Sequence, residues 1–236
     1  MDTVLVGCHV ATAPSPKRSR TKASHEQQQV PEIRVCTNRA CRKQGSFQTL
    51  ETLSGIAPPN VAVKTSGCLG KCGAGPNLVF LPDGILVGYC GTAARCLEVM
   101  FGGRDGSKTS LDALALRKRA DVEFEKKNFG EAEVLLSKAI ALKPLGGLHV
   151  TFKCRSLVRL ELGNYSAALQ DANEALLLAP NYSEAYICQG DAFMAFNNFD
   201  LAQQSYLSAL HIDPSIRRSK SFRARITKLQ EKLAPS

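Results

Sequence analysis

Three windows decide the fold: FGEAEVLLSKAIALKP (residues 129–144), YSAALQDANEALLLAP (165–180) and FDLAQQSYLSALHIDP (199–214) align without a gap. Each opens on an aromatic residue (Phe129, Tyr165, Phe199) and closes on a proline (Pro144, Pro180, Pro214). Alanines recur between them, at Ala132, Ala168 and Ala202 and again at Ala139, Ala175 and Ala209. Upstream of each window another small residue recurs, at Ala120, Ser156 and Gly190. Small residues at helical spacing let neighbouring backbones approach, and proline ends a helix because it lacks the N–H and crowds the preceding turn. Each unit of about 34 residues therefore reads as two antiparallel helices, and three units in register predict a solenoid over 113–214. Two additional residues, Gly146 and Gly147, separate the first two units. After the third, Phe222, Ile226, Leu229 and Leu233 mark one face of a last helix, the solubilising cap of a solenoid over 215–236.

These repeats resemble the tetratricopeptide repeat, whose stacked units form a concave groove for an extended or helical peptide. In cochaperones of this type the groove grips acidic chaperone tails through a carboxylate clamp of Lys, Asn and Arg. The matching positions here are Arg117, Asp121, Cys154, Glu184 and Cys188. Only Arg117 keeps the needed charge, while Asp121 and Glu184 would repel a carboxylate. The expectation is a protein client in this groove without a heat-shock chaperone carboxylate clamp.

Residues 31–103 read differently. Glu32–Cys36 and Val61–Lys64 read as strands, and 47–54 reads as a short helix. Leu78–Leu81 and Ile85–Tyr89 flank the turn residues Pro82-Asp83-Gly84, a hairpin. Thr92 caps a helix that Gly102-Gly103 ends. This is a small α/β layer, followed by a polar linker over 104–112.

Within that layer four cysteines form two pairs, Cys36-x4-Cys41 and Cys68-x3-Cys72. A 2Fe–2S cluster needs four thiolates, two on each iron, and pairs from two loops at one end of a sheet can supply them. Zinc held by the same four cysteines is the alternative, although zinc pairs are more often spaced by two residues. Gly67, Gly70, Gly73 and Gly75 let backbone approach the second pair. Arg39, Arg42, Lys43 and Lys71 would offset the charge of a thiolate-bound cluster. The run Cys68-Leu-Gly-Lys-Cys72-Gly-Ala-Gly-Pro-Asn, then Pro82-Asp83-Gly84, resembles thioredoxin-like 2Fe–2S ferredoxins over residues 32–102. That resemblance implies cluster ligation by Cys36, Cys41, Cys68 and Cys72.

Charge is uneven along the chain. The net charge is +9, yet residues 215–236 alone hold seven basic side chains against one acidic. Residues 1–30 are rich in Ser, Thr and Ala, with Lys17, Arg18, Arg20 and Lys22, which fits a chloroplast transit peptide, or a mitochondrial leader or a cytosolic tail. No run spans a membrane, and aromatics do not interleave with a basic patch as nucleic-acid binding prefers. His9, His25, His149 and His211 are scattered, with no catalytic constellation.

The sequence thus predicts a mixed α/β plus all-α chain, a thioredoxin-like ferredoxin domain before a three-repeat solenoid and its capping helix. The function expected is a non-enzymatic adaptor in a plastid, assembling or maintaining an iron–sulfur or photosynthetic complex. The rivals are a 2Fe–2S electron carrier docked to an oxidoreductase and a zinc-stabilised scaffold.

Overall fold

The computed structural model describes residues 31–234. The leader expected over 1–30 lies outside the described residues. Strands β1 (Glu32–Cys36), β2 (Ala62–Ser66), β3 (Leu78–Leu81) and β4 (Ile85–Val87) form one sheet in the order β2-β1-β3-β4. β1 and β2 are parallel, with Cys36 opposite Ser66, and β3 runs antiparallel beside β1, with Val35 opposite Leu78. The strand ends after Cys36 and Ser66 and the entry to β3 therefore share one edge of the sheet. Helices α1 (Arg39–Lys43), α2 (Ser46–Ile56) and α3 (Ala93–Phe101) complete this unit. Thr92 caps α3, accepting from the Arg95 N–H, and Gly102 closes it in the left-handed conformation. Ile33, Val35, Leu53, Ile56 and Leu78 form its core, together with Cys90 and Cys96.

The repeats follow as α4 (Ser107–Glu125) with α5 (Phe129–Ala141), α6 (Leu148–Glu161) with α7 (Tyr165–Leu178), and α8 (Ser183–Ala195) with α9 (Phe199–Ile212). The recurring alanines Ala132, Ala139, Ala168, Ala175, Ala202 and Ala209 are all buried where the helices cross. Gly190 shows why a small residue is needed, since a Cβ there would stand 2.5 Å from the Tyr206 ring. Helix α10 (Lys220–Leu233) closes the stack, with Phe222 and Leu229 buried. The molecule is mostly helical and tetratricopeptide-like, with a small four-stranded sheet on its amino-terminal side.

The stretch over 104–112 is not an extended linker. Helix α4 begins at Ser107, because Leu111 and Leu114 pack into the core beneath the sheet. The two glycines between the first units complete that junction. The Gly147 N–H donates to Ala57 O at 2.9 Å, and a Cβ on Gly146 would fall 2.0 Å from Ile56 O. Among the described residues no helix is long and apolar enough to cross a membrane.

Candidate peptide groove and cysteine pairs

The first helices of the units, α4, α6 and α8, line the groove. Asp121 and Cys154 stand together there, in a cavity of about 100 Å³ that also takes in Phe124, Lys153 and Leu157. Leu157 continues into a second hollow of about 420 Å³, walled by Glu161, Met194, Arg225 and Lys228. The two hollows make one path across α4, α6, α8 and α10.

Arg117 does not face that path. Only 7% exposed, it donates to Gly147 O at 3.2 Å and to Gly55 O at 3.1 Å, tying the first repeat to the end of α2. Glu184 is exposed and accepts from Ser183 Oγ at 3.1 Å. Cys188 lies in the middle of α8, where burial pushes its thiol up to about 12. Burial likewise raises the Asp121 carboxyl, opposed by the Arg117 and Lys153 charges. Lys153 itself is absent from the set read off the sequence. Desolvation works against its charge, but Cys154, Tyr182, Cys188 and Glu184 around it hold the ammonium above its ordinary range. It is the cation of this part of the groove. It is the residue next to Cys154 in the helix, and the sequence alone gives no sign of which neighbour faces inward.

The groove wall is fixed by ions. Asp171, 2% exposed, receives both Arg155 Nε and Nη2, at 2.9 and 2.8 Å, and Arg159 Nη1 at 2.9 Å. Arg159 reaches on to Glu133 at 2.7 Å, so α5, α6 and α7 are locked together. Beside α10, Arg225 Nε donates to Asp191, which also accepts from the Tyr206 hydroxyl at 2.7 Å.

At the shared sheet edge the cysteines stand in two pairs. Cys36 and Cys41 are buried, while Cys68 and Cys72 are exposed. Burial disfavours a charge on Cys36, but the Asn38 and Leu69 N–H groups and the Cys41 thiol bring its pKa below the ordinary value. Burial raises Cys41, whose sulfur lies 3.6 Å from Asn77 Nδ2. The Cys68 and Cys72 sulfurs are 3.7 Å apart, and the neighbouring Cys68 raises Cys72. Cys41 feels the charge of Cys72, and Cys72 that of Cys36, so the pairs adjoin. A metal bound tetrahedrally at about 2.3 Å spaces two thiolates by about 3.8 Å, which the exposed pair matches. Among the described residues, however, no three His, Cys, Asp or Glu side chains gather as a ligand shell for a metal ion.

No family model matches the chain. Heat shock protein STI1 of Saccharomyces cerevisiae is 32% identical over 111 residues, 47% of this chain and 19% of that protein. The Hsp70-Hsp90 organizing protein of Triticum aestivum is 32% identical over 97 residues, 41% of this chain and 16% of that protein. The chain thus spans less than a fifth of the length of these curated relatives. Among solved structures, the first TPR of Spaghetti (RPAP3) bound to HSP90 peptide SRMEEVD superposes with a TM-score of 0.47 at 24% identity, over 52% of this chain and 94% of that one. The TPR2B-domain:pHsp70-complex of yeast Sti1 gives 0.46 at 22% identity, over 52% and 95%.

Two expectations are corrected by these findings. The exclusion of a chaperone carboxylate clamp fails, because the relatives that the chain matches are a heat shock protein and an Hsp70-Hsp90 organizing protein. The exclusion weighed five positions and overlooked Lys153 beside them. The reading as an iron–sulfur, ferredoxin-type electron-transfer protein fails as well, since the relatives named are a heat shock protein and an Hsp70-Hsp90 organizing protein, and among the described residues the cysteines stand as pairs without a shell of three. Part of this chain is thus similar in sequence to part of heat shock protein STI1 and of the Hsp70-Hsp90 organizing protein, and its helical pairs have a tetratricopeptide-type arrangement.

Proposed function

We propose that the repeats hold the acidic, carboxylate-ended tail of a heat-shock chaperone, with Lys153 as the cation that receives it. Lys153 carries this reading. It is a desolvated ammonium on the groove floor, where a carboxylate is attracted more strongly than in water. The likeness to STI1 and to the wheat organizing protein supports the class of partner. The peptide SRMEEVD, titrated into the full chain by calorimetry, should bind with a dissociation constant of about 1–100 μM, and its amidated form or Lys153→Glu should bind about tenfold more weakly. Equal binding of the free and amidated peptides would exclude the carboxylate from recognition.

The sheet unit we assign to the thioredoxin-like class, on its strand order and on the resemblance around Cys68 and Cys72. Its boundaries we place at 31–103, ahead of the repeats over 113–214 and the cap over 215–236. We further propose that Cys36, Cys41, Cys68 and Cys72 hold a thiolate-bound metal centre. Two adjoining pairs at one sheet edge, with a sulfur–sulfur spacing of 3.7 Å in the exposed pair, support it. A bound metal would fix these loops by charge and coordination; within the chain itself, the N–H groups of Asn38 and Leu69 and the Asn77 amide orient the buried sulfurs. Elemental analysis of the purified chain tests this, because Cys68→Ser should lose the bound metal. Metal-free protein from every preparation would leave four ordinary thiols.

Residence in the chloroplast stroma we propose from the composition of residues 1–30 alone. Fusion of that segment to a fluorescent protein decides between plastid, mitochondrion and cytosol.

A further inference from the structure

Helices α9 and α10 leave a groove of about 430 Å³ between them that is lined chiefly by carbon. Leu207 and Leu210 form one wall, and Ile226 and Leu233 the other. Leu207 is 58% exposed and Leu233 40% exposed, while Phe222 and Leu229 beneath them are buried. In the preceding units each first helix is covered by a second one, α4 by α5, α6 by α7 and α8 by α9. Among the described residues no helix covers α10 in that way. The groove therefore offers a helix-wide apolar slot at helical spacing.

Its rim is cationic. Arg217 and Arg223 line it directly, within a segment that carries seven basic side chains and one acidic. A second copy of α10 would bring like charge against like charge, which opposes association. A lipid surface suits a convex apolar stripe, whereas this apolar surface is recessed, with Phe222 and Leu229 already packed on α9.

We infer that the α9–α10 groove docks an amphipathic helix of a protein partner, acidic on its flanks and apolar along one face. Such a helix would seat leucine-sized side chains between Leu207 and Ile226 and set its carboxylates against Arg217 and Arg223. Lys153 does not line this groove.

The probe is a fluorescein-labelled synthetic amphipathic helix of about 18 residues, leucine on one face and glutamate on the others, titrated into the full chain by anisotropy. Saturable binding is expected, weakened about tenfold by Leu207→Glu and by the double variant Arg217→Glu with Arg223→Glu, and unchanged by Lys153→Glu. Leu207 is exposed and both arginines lie at the rim, so circular dichroism should show these variants folded. Three outcomes would overturn the inference. A scrambled peptide of the same composition could bind as tightly. Sedimentation velocity could show a dimer that Leu207→Glu abolishes, which assigns the face to a second copy. Flotation with phosphatidylserine-containing vesicles could show lipid capture lost in the same variant, which assigns it to a membrane.

Discussion

At the scale of single residues, burial decides what a charge is worth. Asp171 accepts three guanidinium hydrogen bonds at 2% exposure, and Arg155 and Arg159 are themselves partly buried. Removing one member of such a set leaves the others desolvated and uncompensated, which costs about 3–5 kcal/mol. Asp171→Ala should therefore lower the unfolding free energy by about that amount in a denaturant titration. Breaking exposed pairs such as Lys126–Glu123 should change stability little, because water screens them. His149 behaves in the opposite sense. Burial first, then the Arg117 and Lys153 charges, depress its imidazole to about 4, and its buried Nδ1 has no partner among the described residues. Between 6.5 and 4 the unfolded chain takes up a proton that the folded chain refuses, so this site's contribution is intact above 6.5 and falls as the pH drops toward 4. His149→Phe keeps the edge-on packing against Tyr182 and should flatten that part of the stability profile, as thermal melts across the range would show.

At the scale of elements, three glycines separate close contact from open space. A Cβ on Gly146 would meet the Ile56 carbonyl at 2.0 Å, and backbone cannot yield as a side chain can. Gly146→Ala should loosen the junction between α2 and α6, seen as faster proteolysis near residues 55–58 and 145–148. Gly190→Ala forces the Tyr206 ring aside and should cost about 1–3 kcal/mol. Gly130, with nothing within 4 Å of a new Cβ, should change stability by less than about 1 kcal/mol. The same residues show what a sequence discloses. Gly190 was legible, because the repeat period places it opposite Ala120 and Ser156. The hairpin around Pro82-Asp83-Gly84 and the Thr92 cap were legible too, since their chemistry is local. Gly146 and Gly147 were visible only as an interruption of the period, because their reason lies in a carbonyl of another element. Arg117 was misread for the same cause. Its partner Gly55 is 62 residues away, and only packing turns the guanidinium from the groove to the junction.

At the scale of the molecule, α4 belongs to two cores. Its first turns place Leu111 and Leu114 beneath the sheet, while Leu116, Ala120 and Phe124 pack with Leu135, Leu136 and Val158 of the repeats. Arg117 stands between the two sets and bonds carbonyls from both sides. A helix that shares its buried faces in this way cannot open without exposing apolar surface in both units, so the sheet and the first repeat should exchange their amides as one cooperative group. Native-state hydrogen exchange is expected to give the amides of β1, α2 and α4 the same opening free energy. The later pairs, joined only to their neighbours, should open independently at lower values. Arg117→Gln shortens the bridge and should separate the α4 amides from those of the sheet, while Lys118→Gln, which breaks an exposed pair with Glu51, should leave them together. Separate opening of the sheet and α4 in the unaltered chain would mean that the two units merely touch, and that groove and cysteine pairs have no mechanical link.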